Sequence, residues 1–410
     1  MLPAIGIQHW IAPKHGAAGN TVRYSRTPRM KKKVLYIVSN VVDSTEYDYL
    51  VQHWDRTRFD LEFLLLNPVI DCGMQRNIRA AGYACTTLLY TGRGQGINIT
   101  RTIMRYLRAT RPDIVNTNLL EATFYGLIAA WLTGIGKRVY TRHHSTHNHK
   151  YHPVKGVFYD RIANRLAHRI IAITRSVEDI LVNWEKVPKE KVVLIYHGYD
   201  MSAPHRPDAE KMARLKTKYG LDTSKRSPII GIISRPFEWK GLDHSIPAFA
   251  ELLREHPNAY ALFFNWKSSP HIERYEAMLA ALPAGSWQTI GFDPEVIEFF
   301  HVFDVFIHVP EDQHAEAFGL VYAESTMAGV PCVFTRSGIM HDLDANALHG
   351  VKTVPFKDKE AILARTREWL NDPPSVQQRA DFASRNAAYL HGVIDITLKM
   401  EALYKLYGSL

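Results

Sequence analysis

Short apolar runs of strand length alternate with helix-like segments along most of this chain, and the alternation starts afresh once. In the first round Val34–Ser39, Phe59–Leu66, Asp113–Thr117, Arg138–Arg142 and Ile170–Thr174 read as strands. Tyr47–Trp54, Ile99–Ala109, Glu121–Leu132, Phe158–Leu166 and Ser176–Asn183 read as helices, the last capped by Ser176. The polar stretch Met201–Ser227 interrupts the pattern. In the second round Ile229–Ser234, Ala259–Phe264, Trp287–Ile290, Val305–His308 and Val333–Thr335 are strand-like. Asp243–Glu255, His271–Leu282, Pro294–Phe300 and Leu320–Ala328 are helix-like, and a terminal helix is expected near Ala387–Tyr407. Strands separated by helices pair in parallel, and runs as apolar as Ile229–Ile233 are buried on both faces. The expected fold class is α/β, with two doubly wound domains facing a cleft. The expected boundaries are 1–30 as a disordered or non-native extension, 31–200 and 201–385 as the two domains, and 386–410 as a helix packing back on the first.

With 410 residues, 46% of them hydrophobic and 22% charged, the chain has the makings of two ordinary globular cores. No apolar run approaches the roughly eighteen residues of a membrane-spanning helix. Cys72, Cys85 and Cys332 are far apart and form neither a disulfide nor a metal pattern, which fits a reducing, cytoplasmic compartment. The net charge is +9, yet Lys14, Arg23, Arg26, Arg29, Lys31, Lys32 and Lys33 precede the first acidic residue. Met30-Lys-Lys-Lys before an apolar strand reads as a natural start, although the basic, acid-free leader faintly resembles a transit peptide. The remainder is nearly neutral, which argues against a nucleic-acid partner. Residual positive charge would suit peripheral contact with the inner face of a membrane, but no amphipathic anchor stands out.

Ligands of doubly wound sheets sit outside the carboxyl ends of the strands, so residues just after strands are the ones to inspect. After Val305–His308 comes His314-Ala-Glu316-Ala-Phe318-Gly319-Leu320-Val-Tyr-Ala-Glu324. Gly319 allows close backbone approach at a helix start, and Glu316 and Glu324 could grip hydroxyls on separate parts of one ligand. Acidic residues also favour a helix start for the dipole alone. After Ile229–Ser234 comes Arg235-Pro-Phe-Glu-Trp-Lys240-Gly241, whose two cations could clamp a diphosphate. Considered by itself, it could equally be a charged turn.

Together these stretches resemble glycosyltransferase family 4, with its GT-B architecture of two Rossmann-like domains. The resemblance rests on Arg235, Lys240-Gly241, the helix Ala248–Leu253, and the motif Glu316-x-Phe318-Gly319-x-x-x-x-Glu324. Thr289-Ile-Gly291-Phe292, Val302–Ile307 and Ala328-Gly-Val-Pro-Cys-Val333 match the intervening and following segments. The resemblance implies a retaining, metal-independent transfer of a sugar from a nucleotide-diphosphate donor to a glycan or glycolipid hydroxyl. A UDP-sugar is favoured on general grounds alone, and no cofactor is implied. The first domain would face the acceptor and the second would bind the donor. Arg235 and Lys240 would neutralise the diphosphate, Glu324 would hold the ribose, and Glu316 would contact the donor sugar. Gly291 and Phe292 would meet the base, and Phe318, Gly319 and Leu320 would touch sugar or phosphate.

In the first domain the family commonly has a histidine at the end of the strand that here is Arg138–Arg142, making His143 the first choice and His144 the second. His143, His144, His147, His149 and His152 also invite a metal reading, but their spacing fits no standard zinc pattern and no carboxylate is expected nearby. Asp342-Leu-Asp344 reads as a solvated turn beyond the last strand. The loop Ser39–Ser44 lacks the glycines usual in the family, so the acceptor side is built differently. Two alternatives stay open, namely a nucleotide-sugar epimerase or a phosphorylase of similar architecture, and a non-catalytic nucleotide-sugar-binding module.

Overall fold

A computed structural model describes residues 31–201, 207–293 and 295–410. The expected extension at 1–30 lies outside the described residues, as does Pro294.

Among the described residues thirteen strands form two parallel sheets. The first holds β1 (Lys32–Ser39), β2 (Phe59–Asn67), β3 (Ala84–Leu89), β4 (Ile114–Asn118), β5 (Lys137–Arg142), β6 (Arg169–Ala172) and β7 (Val192–Leu194), in the order β3-β2-β1-β4-β5-β6-β7. The second holds β8 (Ile229–Ile233), β9 (Tyr260–Phe264), β10 (Trp287–Thr289), β11 (Val305–His308), β12 (Cys332–Phe334) and β13 (Val351–Thr353), in the order β10-β9-β8-β11-β12-β13. Strand order reverses direction beside β1/β4 and beside β8/β11. Those two switch points are where such sheets open a crevice for ligands.

Each sheet is covered on both faces. Helices Gly96–Thr110 and Leu120–Leu132 pack on one face of the first sheet, through Ile103, Leu107, Ala122 and Ala129 against Leu35, Ile37 and Val115. Helix Lys155–Leu166 continues that layer beside Leu120–Leu132, with Ala163 against Leu127 and Tyr140. Helices Thr45–Gln52, Gly73–Ala80 and Ile396–Ser409 cover the opposite face. The last of these returns to the first sheet from the far end of the chain. Its Tyr407 hydroxyl shares hydrogen bonds with Tyr36 and Asn116, both at 2.7 Å, inside the core.

Several expectations change in detail. The terminal helix is two helices, Val376–Ile394 on the second half and Ile396–Ser409 on the first, broken at Asp395, whose carboxylate caps the second. The polar stretch after Met201 contains helix Ala209–Lys218, capped by Asp208. The cap expected of Ser176 belongs to Thr174, whose hydroxyl accepts the Val177 N–H at 3.2 Å. Asp342 is no solvated turn beyond the last strand. β13 follows it, and its carboxylate accepts the Arg175 N–H at 2.7 Å, tying the two halves together.

Candidate active site

The second half brings its motif residues together at the ends of β8 and β11. After β8 a single 3-10 turn, Glu238–Lys240, ends at Gly241 in the left-handed conformation (φ 73°). A side chain there would drive into the Val309 carbonyl, 1.8 Å from its Cβ, so glycine lets the Lys240 turn press against the end of β11. The Lys240 ammonium meets Glu316 Oε1, and His308, the last residue of β11, donates its Nε2–H to the same oxygen at 3.0 Å. Burial opposes ionisation of Glu316, but the Lys240 charge and the His308 hydrogen bond outweigh it and hold the carboxyl far below its ordinary range. Burial keeps His308 neutral by lowering its pKa. The Glu316 N–H is itself fixed to Ser337 Oγ at 3.0 Å.

Two other motif residues are left with open charge. Arg235 is exposed, its guanidinium 5.1 Å from the centre of the Phe237 ring, and no carboxylate of a described residue lies within ion-pair distance. Glu324 sits in helix Leu320–Met327, half-buried, its carboxylate without a hydrogen-bond partner among the described residues. Desolvation pushes its pKa up to about 7. Gly319, with φ 84°, starts that helix.

Glu324, Leu320 and Phe292 line a cleft of about 1590 Å³, facing Asp43, Glu46, Tyr49, His197 and Tyr199 from the other side. Phe292 is 61% exposed, with the Lys267 ammonium 4.8 Å from its ring centre. Gly291 is exposed beside it. Arg235, Lys240 and Glu316 do not line this widest part. Glu316, which holds Lys240, reaches it at the Phe318–Leu320 turn, where a Gly319 side chain would stand 3.6 Å from the Glu316 side chain.

The first half separates its two histidine candidates. His143, just past β5, bonds Asn118 Oδ1 at 3.0 Å and stacks on His197 at 5.2 Å, and His197 in turn contacts Phe318 edge-on at 4.9 Å. That chain of rings runs from the first half to the motif loop of the second. Burial drops the His143 pKa to about 3, so the ring is neutral. His144 turns the other way and bonds Asp160 at 3.2 Å. The expectation that no carboxylate lies near these histidines fails. Asp160 and Glu185, distant in sequence, surround Arg142 at 3.0 and 2.6 Å, and Glu185 also binds His149 at 3.0 Å. His147 packs on Trp239 across the seam, and His152 is exposed.

Sequence reasoning missed four residues at the site. His308 is one, detectable as the last residue of an expected strand. Glu46, His197 and Lys399 are the others, with Glu46 2.8 Å from both His197 Nδ1 and the Lys399 ammonium. Their signal is absent locally, because Lys399 arrives from the returning C-terminal helix. Ligand atoms of Glu46, His143 and His197 lie within 4.8 Å of one another, a spacing a metal ion could use. Lys399 already occupies the carboxylate, so a divalent ion there would face a buried positive neighbour. Asn40, in the glycine-free loop, takes the left-handed conformation (φ 57°) that the absent glycines would have supplied.

Comparisons with known proteins agree with this architecture. The model of Glycosyltransferase Family 4 matches residues 48–203, and that of Glycosyl transferases group 1 matches residues 215–388. A GDP-mannose-dependent alpha-(1-6)-phosphatidylinositol monomannoside mannosyltransferase of Mycolicibacterium smegmatis is 29% identical over 174 residues, 41% of this chain and 44% of that protein. The capsular polysaccharide biosynthesis glycosyltransferase CapM of Staphylococcus aureus is 24% identical over 64% of this chain and 68% of its own. Among solved structures, Anabaena HepE in complex with UDP-glucose superposes with a TM-score of 0.74 at 16% identity, covering 92% of this chain and all of that one. Such a likeness speaks for the fold. The two family matches meet near the boundary between the sheets and together cover every strand but β1, so the chain belongs to the family 4 glycosyltransferases of GT-B fold.

Proposed function

We propose that the chain transfers a sugar from a nucleotide-diphosphate donor to a hydroxyl of a glycan or glycolipid, with retention of configuration and without a metal. The observation that carries this reading is the exposed, carboxylate-free Arg235 beside the Glu316-held Lys240, at the strand ends where the second sheet opens its crevice. Breaking the bond between the sugar and the diphosphate leaves negative charge on the phosphate oxygens. Arg235 can take that charge bidentately and Lys240 as a point charge. Glu316 keeps Lys240 in place, and both of its described contacts fall on Oε1, so Oε2 can accept from a sugar hydroxyl.

Glu324, once ionised, accepts both ribose hydroxyls. Phe292 and Gly291 offer the base an exposed ring and an open backbone. His143, neutral and held by Asn118, hydrogen-bonds sugar hydroxyls without drawing off the phosphates. Retention requires the acceptor hydroxyl to approach from the side on which the diphosphate leaves. The unpaired, buried Cys72, Cys85 and Cys332 fit a cytoplasmic setting.

Names of related proteins contain both GDP-mannose and UDP-glucose, so both donors belong in the first assay. Release of nucleoside diphosphate, with the anomeric configuration of the product read by NMR, tests the proposal. Failure to turn over or bind any nucleotide sugar would reject it, and an inverted product would reject the retention.

A further inference from the structure

The first half does not spread its charge evenly. Helices Gly96–Thr110, Leu120–Leu132 and Lys155–Leu166 form one layer over one face of the first sheet. Arg101, Arg105 and Arg108 stand exposed along the first of these, and Lys155, Arg161 and Arg165 along the third. No described residue gives any of these six an ion pair or a side-chain hydrogen bond. Spacings of four and three residues put Arg101, Arg105 and Arg108 along a single stripe, and Arg161 and Arg165, four apart, share another, with Lys155 at the start of their helix. The acids of the three helices are Glu121 and Asp160. Glu121 is engaged by Asn40 and Arg93, and Asp160 is buried against Arg142.

Large apolar side chains project among these cations. Val154 is 80% exposed, Ile97 71%, Phe158 58% and Trp131 55%, with Leu132 beside Trp131. On the opposite face acids offset the cations, Lys399 pairing with Glu46 and Arg58 with Glu401, although Lys405 is exposed without an ion pair. Near-neutral total charge after the leader therefore conceals a strongly one-sided field.

We propose that this helical face docks the protein on an anionic lipid surface. Cations draw the face to acidic headgroups over about a Debye length, and the projecting side chains then enter the interfacial layer. Exposed valine, leucine and isoleucine have no use against a nucleic-acid backbone, although the cations would. The face also adjoins the cleft side of the sheet. The starts of helices Leu120–Leu132 and Lys155–Leu166 follow β4 and β5, and a crevice of about 90 Å³ between them, lined by Phe124, Tyr125 and Tyr159, reaches Thr141 and Arg142. Docking would hold the acceptor side of the cleft near a lipid-carried acceptor. That last consequence rests on the transfer reading, whereas the docking itself does not.

Sedimentation of the full chain with phosphatidylcholine vesicles, with and without phosphatidylglycerol, tests the proposal. The chain should bind the phosphatidylglycerol vesicles and release them as salt is raised. Changing Arg101, Arg105 and Arg108 together to Gln, or Lys155, Arg161 and Arg165 together to Gln, should lower partitioning roughly tenfold or more. Trp131→Ser with Phe158→Ser should weaken binding at unchanged charge. All eight positions are exposed, and an unchanged Tm confirms that each variant is folded. Failure to bind phosphatidylglycerol vesicles, equal binding to phosphatidylcholine alone, indifference to all three variants, or tighter retention by duplex DNA than by vesicles would overturn the proposal. The assay reads no catalysis, so its failure leaves sugar transfer standing.

Discussion

Two buried ionic clusters, one in each half, make an instructive pair. Arg142, Asp160, Glu185, His144 and His149 form the larger one, and every member has a partner. Lys240, Glu316 and His308 form the smaller one, beside an exposed Arg235 and a Glu324 that lines the cleft without an ion pair. The histidine-rich loop looks richer in chemistry by composition, yet its charges are consumed in holding the first half together. Open polar groups at the carboxyl ends of parallel strands mark the site better than any density of titratable residues.

The comparison breaks first at Arg142. Arg142→Met should cost about 3–5 kcal/mol of stability by stranding two buried carboxylates, as read by urea unfolding. Its nucleotide affinity should be unchanged at temperatures where the variant stays folded. Lys240→Ala and Arg235→Ala should each cost roughly 2–4 kcal/mol of transition-state stabilisation in kcat/KM. Arg235→Ala should do so at an unchanged melting temperature, because that side chain anchors nothing, whereas Lys240→Ala also leaves Glu316 buried without its cation.

Glu324 sharpens the contrast through pH. Its pKa rises from the ordinary 4.5 to about 7 on folding, so the folded state binds the extra proton between those values. The resulting contribution to stability is present at low pH and is lost as pH rises through about 7. Ribose binding needs the ionised form and should strengthen over that same interval. Glu324→Gln should flatten both dependences, as measured by thermal unfolding and nucleotide titration between acid and alkaline pH. Exhaustive chelation should change least of all. Turnover should persist, and activity restored only by manganese or zinc would assign the Glu46, His143 and His197 cluster to a metal.

Legibility in the sequence followed burial. Strands covered on both faces, such as β1, β8 and β11, are unbroken apolar runs and were identifiable within a residue or two. Three of the four outermost strands escaped, β3 and β13 because an edge strand need not be apolar and β7 because its apolar run, Val192–Leu194, is only three residues long. Ala84-Cys-Thr-Thr-Leu-Leu89 is half exposed, and Val351-Lys-Thr353 is more so. The donor-side residues were legible because Arg235, Lys240, Glu316 and Glu324 keep their spacing within short motifs. Glu46, His197 and Lys399 were not, since their meeting depends on a helix that crosses back to the first sheet only after Asp395. The carboxylates of the histidine loop were hidden for the same reason, lying on elements far along the chain.

Binding of UDP and GDP measured by calorimetry on the wild-type chain, Arg235→Ala and Arg142→Met tests the central claim most directly. The account predicts that at least one nucleotide binds the wild type, that Arg235→Ala weakens it severely, and that folded Arg142→Met binds it normally. Nucleotide affinity that survives Arg235→Ala but is lost in folded Arg142→Met would contradict it, placing the donor at the histidine-rich cluster instead.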